Sequence, residues 1–102
     1  MTGQIIEKNI YLQFNDYMSY LKDVKKSSDN TLQAYERDLT KFMDYARIES
    51  IYSFCDVDVD KVTAYKKYLS DSGLSPSSVS RSLSALRSMF QYLIISGECD
   101  HN

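Results

Sequence analysis

The sequence predicts an all-α domain, a four-helix bundle. Three observations carry that prediction. The 102 residues include only 3 glycines and 1 proline, so turns are few and elements are long. Apolar residues recur at alternating spacings of four and three, the period of one helix face rather than of a strand. Good N-caps precede the second, third and fourth runs, and glycine follows the last two.

The first helix is predicted over residues 7–26, with Ile10, Phe14, Tyr17, Leu21 and Val24 on its inner face. The polar run KSSDN ends it, and Ser28 supplies the next N-cap. The second helix is predicted over residues 29–48. It buries Leu32, Tyr35, Leu39, Phe42 and Ala46, with Met43 beside them, and turns Asn30, Ala34, Arg37 and Lys41 outward. A connector follows, anchored by Ile51, Phe54 and Val57. Asp58 caps a third helix, predicted over residues 58–70, whose inner face is Val62, Tyr65 and Leu69; Gly73 stops it. The fourth helix is predicted over residues 76–96. Ser75 is its N-cap and Pro76 its first helical residue. Its stripe is Val79, Leu83, Leu86, Phe90 and Leu93, and Gly97 ends it, leaving a polar, frayed tail ECDHN. Residues 28–46 also align without gaps to residues 75–93, which suggests similar roles for the second and fourth helices.

This length supports one modest core. The net charge of -2 and pI near 5.2 exclude a bulk attraction to nucleic acid, so any DNA contact must come from local charge. Cys55 and Cys99 fit no metal-ligand spacing and predict free thiols in a reduced, cytoplasmic setting. No stretch has the length of a membrane span, and the first ten residues lack a signal-peptide core.

The fourth helix carries the chemistry that stands out. Opposite Val79 lie Ser77, Ser80, Ser84, Arg87, Ser88 and Gln91, with Arg81 at the margin. Residues 75–97 hold two arginines and no acid. Serine is a mediocre helix former, so local stability does not explain this face. Small hydroxyls allow close backbone approach while still offering hydrogen bonds. A DNA major groove admits a helix, and arginine pairs with guanine edges and phosphates. The helix N-terminus at residues 75–78 adds free N–H groups for a phosphate. The opposing reading is a helical protein-protein interaction module with no nucleic-acid role, supported by the negative net charge and by small residues suited to helix packing.

Two motifs bear on that choice. One is Ser28, Thr31, Leu32, Ala34, Tyr35, Asp38 and Leu39; the other is Leu74, Ser75, Ser78, Val79, Arg81, Leu83, Ser84, Ala85, Leu86, Arg87 and Phe90. In these the chain resembles the N-terminal core-binding domain of Xer-type tyrosine recombinases and phage integrases, over about residues 10–97. The resemblance implies a SAM-like four-helix domain in residues 1–97, forming one half of a clamp on double-stranded DNA. Residues 98–102 would begin the linker to a catalytic domain of the same full-length protein. It implies DNA contacts from Thr31, Arg37 and Lys41 on the second helix and Ser77, Arg81, Ser84 and Arg87 on the fourth. Tyr35 is expected to be structural. Glu36 stands where many family members have a base, which weakens phosphate binding. Homo-oligomers are implied only for the full-length protein on DNA, and no membrane role.

No catalytic residue is expected within this chain. The family's tyrosine nucleophile and its arginine and histidine partners belong to the second domain, and His101 is the only histidine here. The nine tyrosines are expected to be structural: Tyr17, Tyr35 and Tyr65 inside, the others half-buried surface. Cys99 and His101 are too few for a metal site, and no cofactor is expected.

Overall fold

The computed structural model describes residues 9–99. Four helices form: α1 (Ile10–Asp23), α2 (Asp29–Ile48), α3 (Val59–Asp71) and α4 (Pro76–Ile95). A 3₁₀ turn, Phe54–Asp56, sits in the connector between α2 and α3. The all-α architecture is as expected.

The caps explain the boundaries. Ser28, Asp58 and Ser75 each accept a hydrogen bond from the backbone N–H three residues on, as their sequence positions require. Asn9 does the same for α1, and residues 7 and 8 lie outside the described residues. Gly73 and Gly97 take φ of 94° and 88°, conformations that favour glycine. The first helix ends earlier than predicted. Val24 and Lys25 both donate to the carbonyl of Tyr20, Ser27 donates to that of Leu21, and Lys26 adopts φ 55°. The chain turns out of the helix there, so Val24 is 67% exposed rather than on the inner face.

The core centres on Phe42, Phe54 and Tyr65, from α2, the connector and α3. The Phe42 ring meets Tyr65 edge-on at 4.9 Å and Phe54 at 5.5 Å. Leu39, Leu69, Leu86, Met89 and Leu93 are fully buried around them. Each contributes roughly 1.5–3 kcal/mol of hydrophobic stabilisation. Ile51, Phe54 and Val57 are all buried, as the connector's pattern predicted. Two inner faces are rotated from their predicted positions. On α4, Ser82, Ala85 and Met89 are buried while Leu83 and Phe90 are only half-buried. On α2, Asp38 and Tyr45 are buried while Leu32 and Tyr35 are half-buried. Asp38 and Ser82 are buried where α2 meets α4, whereas Tyr45 is buried against Tyr65 and Tyr68 of α3.

The cysteines are not free. Cys55 and Cys99 form a disulfide across a sequence separation of 44, because the end of α4 returns to the connector. Residues 98 and 99 consequently pack on the body: both donate backbone hydrogen bonds to the carbonyl of Leu93, and Cys99 is 5% exposed. The expected frayed tail therefore begins no earlier than residue 100, outside the described residues. The support that free thiols lent to a reduced compartment is lost.

Candidate nucleic-acid interface

The seam between α2 and α4 is fixed by one buried carboxylate. Asp38, 4% exposed, accepts hydrogen bonds from Arg81 Nε at 3.0 Å and Nη2 at 3.1 Å, and from Ser82 Oγ at 3.2 Å. Earlier on α2, Thr31 and Tyr35 border a groove with Ser88, Gln91 and Tyr92 from the later part of α4. The two helices therefore run antiparallel. The fork geometry of arginine explains why the pairing is bidentate, and it raises the Arg81 pKa further through these hydrogen bonds and the Asp38 charge.

The helical period then places the other candidates relative to this seam. Arg37 is exposed and Lys41 half-buried; both lie on the side of Asp38 away from Leu39, Lys41 one turn along α2 from it. On α4, Ser77 and Ser84 are exposed on the outward side that Arg81 borders. Arg81 has two of its five N–H groups on Asp38, and its side chain is still 48% exposed. Thr31 is half-buried; its hydroxyl accepts from Ser28 Oγ at 3.0 Å within the α2 cap. Arg87 stands apart from this group. It lies on the flank of α4 turned toward α3, bordering a groove with Lys66 and Ser70. By helical period and the Asp38–Arg81 contact, Arg37, Lys41, Ser77 and Arg81 fall on one side, with Thr31 at its edge, while Ser84 also lines the α3–α4 groove on whose flank Arg87 stands.

The distribution of ion pairs separates these cations. Arg47, Lys61, Lys67 and Arg81 each meet an aspartate. Among the described residues, Arg37, Lys41, Lys66 and Arg87 have no carboxylate within salt-bridge distance, nor do Lys22, Lys25 and Lys26.

Sequence reasoning missed three structural polar groups. Asp38 belongs to a quoted motif, and its place beside Leu39 was a signal that an acid sits at a helix interface. Ser82 was masked by the serine-rich face. Gln13, 1% exposed, donates from Nε2 to Ser53 Oγ at 3.0 Å and accepts at Oε1 from the Phe54 N–H at 2.8 Å, clamping α1 to the connector. Tyr45 is more buried than expected, at 8% exposure.

Two buried tyrosines, Tyr17 and Tyr65, are poorly suited to nucleophilic work. Burial pushes the Tyr17 and Tyr65 phenols well above their ordinary value, with neighbouring anions and tyrosines adding to the effect. No group of three or more His, Cys, Asp or Glu side chains converges on a possible metal position among the described residues. No described helix is long and apolar enough to cross a membrane.

Comparison with known proteins identifies the family. Residues 14–97 match the family model described as phage integrase, N-terminal SAM-like domain. The chain is similar to tyrosine recombinase XerC of Pseudomonas fluorescens, 33% identical over 90 residues, covering 88% of this chain and 30% of that protein. It is similar to XerC of Pseudomonas syringae pv. syringae, 33% identical over 86 residues, covering 84% of this chain and 29% of that protein. XerC of Pseudomonas putida is 31% identical over 90 residues, again 88% of this chain and 30% of the relative. The chain thus spans about 30% of the length of the curated relatives it matches. No solved structure matches it.

Proposed function

The chain belongs to the phage integrase N-terminal SAM-like domain family, and on that premise we propose that it is the DNA-binding domain of a site-specific tyrosine recombinase. It clamps duplex DNA through the outward sides of α2 and α4. The observation that carries this reading is the local charge: residues 75–97 contain no acid, and among the described residues Arg37, Lys41 and Arg87 have no carboxylate partner, a property they share with Lys66 and with Lys22, Lys25 and Lys26 near the end of α1. Unpaired cations on two packed helices attract phosphate, and Ser77 and Ser84 between them let the backbone approach.

Each contact residue has a part. Arg37, Lys41 and Arg87 meet phosphates as mobile charges. Arg81, held by Asp38, presents its remaining N–H groups in a fixed direction. Ser77, Ser84 and Thr31 offer hydroxyls at short range, and the N–H groups at the start of α4 suit a phosphate. The reaction of the full recombinase, phosphoryl transfer through a tyrosine, is carried by a catalytic domain that this domain positions on the DNA.

The test is a titration with duplex carrying the recombination site, at low salt. Arg37→Ala with Lys41→Ala should weaken binding about tenfold or more and flatten its salt dependence. Unchanged affinity in that variant, with the fold intact, contradicts the assignment.

A further inference from the structure

The groove between α3 and α4 has a lining that the α2–α4 surface does not explain. It has a volume of about 550 Å³. Lys66 and Ser70 of α3 line it on one side, Ser80, Ser84 and Arg87 of α4 on the other, and no carboxylate lines it. Val79 and Leu83 contribute apolar lining. Lys66 and Arg87 have no ion pair among the described residues, although the neighbouring lysines Lys61 and Lys67 both pair with aspartates on their own helix or its cap. A second groove, which Arg87 also borders, does contain an acid, Asp58, but that carboxylate is engaged by Lys61 and by the α3 N-terminus. Two exposed cations and three hydroxyls lining one cleft that has no carboxylate suit an anion.

We propose that this notch seats a backbone phosphate of the bound duplex, with Lys66 and Arg87 as its charges and Ser70, Ser80 and Ser84 as hydroxyl donors. The inference rests on the DNA-binding reading and extends it to α3, a helix that carries none of the contacts assigned above. It also accounts for Arg87 standing apart from the α2–α4 seam. The chemistry recognised is a phosphodiester, without base specificity.

The experiment measures affinity of the full chain for a labelled mixed-sequence duplex as a function of salt, comparing wild type with Lys66→Ala, Lys66→Arg and Lys67→Ala, and with Arg37→Ala plus Lys41→Ala. Thermal melting confirms that each exposed-site variant is folded. The notch predicts that Lys66→Ala reduces the slope of log affinity against log salt by about 0.9, the value for one lost phosphate contact. Lys66→Arg keeps the slope, and Lys67→Ala barely changes it. An unchanged slope in Lys66→Ala, alongside a reduced slope in the α2 double variant, overturns the notch and leaves the DNA-binding reading standing. An equal loss in Lys67→Ala also overturns it, by showing general surface charge. If no variant changes the slope, both the notch and the DNA-binding reading fail. A separate titration with inorganic phosphate covers the other source: saturable binding abolished by Lys66→Ala without any change in the duplex slope assigns the groove to a free anion and overturns the duplex assignment.

Discussion

Asp38 and Arg81 form a two-pronged contact between α2 and α4, at 3.0 and 3.1 Å, with the carboxylate buried and the arginine half exposed. The pair holds the two helices in register and fixes the plane of the guanidinium. Asp38→Ala removes three hydrogen bonds and should lower stability by about 2 kcal/mol, a figure reduced for the solvent that reaches Arg81. In a double-mutant cycle by chemical denaturation, Asp38→Ala and Arg81→Ala should be coupled by about 1 kcal/mol or more. Additive effects would mean that the contact does not hold the seam.

The hydroxyl of Tyr65 lies buried without a hydrogen-bond partner among the described residues. Burying an unsatisfied hydroxyl costs roughly 1–3 kcal/mol, and the ring itself packs well against Phe42 and Tyr45. Tyr65→Phe should therefore be neutral or stabilising by up to about 1 kcal/mol, seen as a raised melting temperature. A loss of more than about 1 kcal/mol would show that the hydroxyl has a role.

Alkaline pH provides an independent check on the same core. Tyr17, Tyr45, Tyr65 and Tyr92 all have pKa values raised above 10.0, chiefly by burial. A raised acid holds its proton longer in the folded state than in the unfolded one. Stability is therefore kept below about pH 10, where both states are protonated, and falls as pH rises above that. Denaturant midpoints should be level from neutrality to about pH 9.5 and drop beyond, less steeply in Tyr65→Phe.

The disulfide joins the connector to the residues just past α4 across a separation of 44. Chain-entropy reasoning gives such a loop about 3–4 kcal/mol of stabilisation. Adding dithiothreitol, or replacing Cys55 and Cys99 together by serine, should lower the denaturation midpoint accordingly. The reduced wild type and the double variant should unfold alike.

Much of this molecule was legible in its sequence, for identifiable reasons. Ser28, Asp58 and Ser75 mark helix starts through local hydrogen bonding, and Gly73 and Gly97 mark stops through backbone conformation, so neither depends on tertiary contacts. The stripes were less secure. Helical period locates a buried face but not the partner that decides its rotation, so Ser82, Ala85 and Met89 displaced Leu83 and Phe90 as the most buried line on α4. Polar groups buried by partners distant in sequence were invisible: Gln13 finds Phe54, and Asp38 finds Arg81, across about forty residues. The Cys55–Cys99 pairing depends on the same closure of the chain. The candidate contact residues followed from two motifs and local charge, whereas Lys66 belongs to neither motif and needed the α3–α4 groove to become visible.

Amide chemical shifts of the isotope-labelled chain, followed while a duplex is titrated in at low salt, probe the interface most directly. The largest changes should fall on the outward sides of α2 and α4, around Arg37, Lys41, Ser77, Arg81 and Ser84, and should vanish when salt is raised. Perturbations confined to the outer side of α1, or none at all where duplex is in excess, would contradict the clamp.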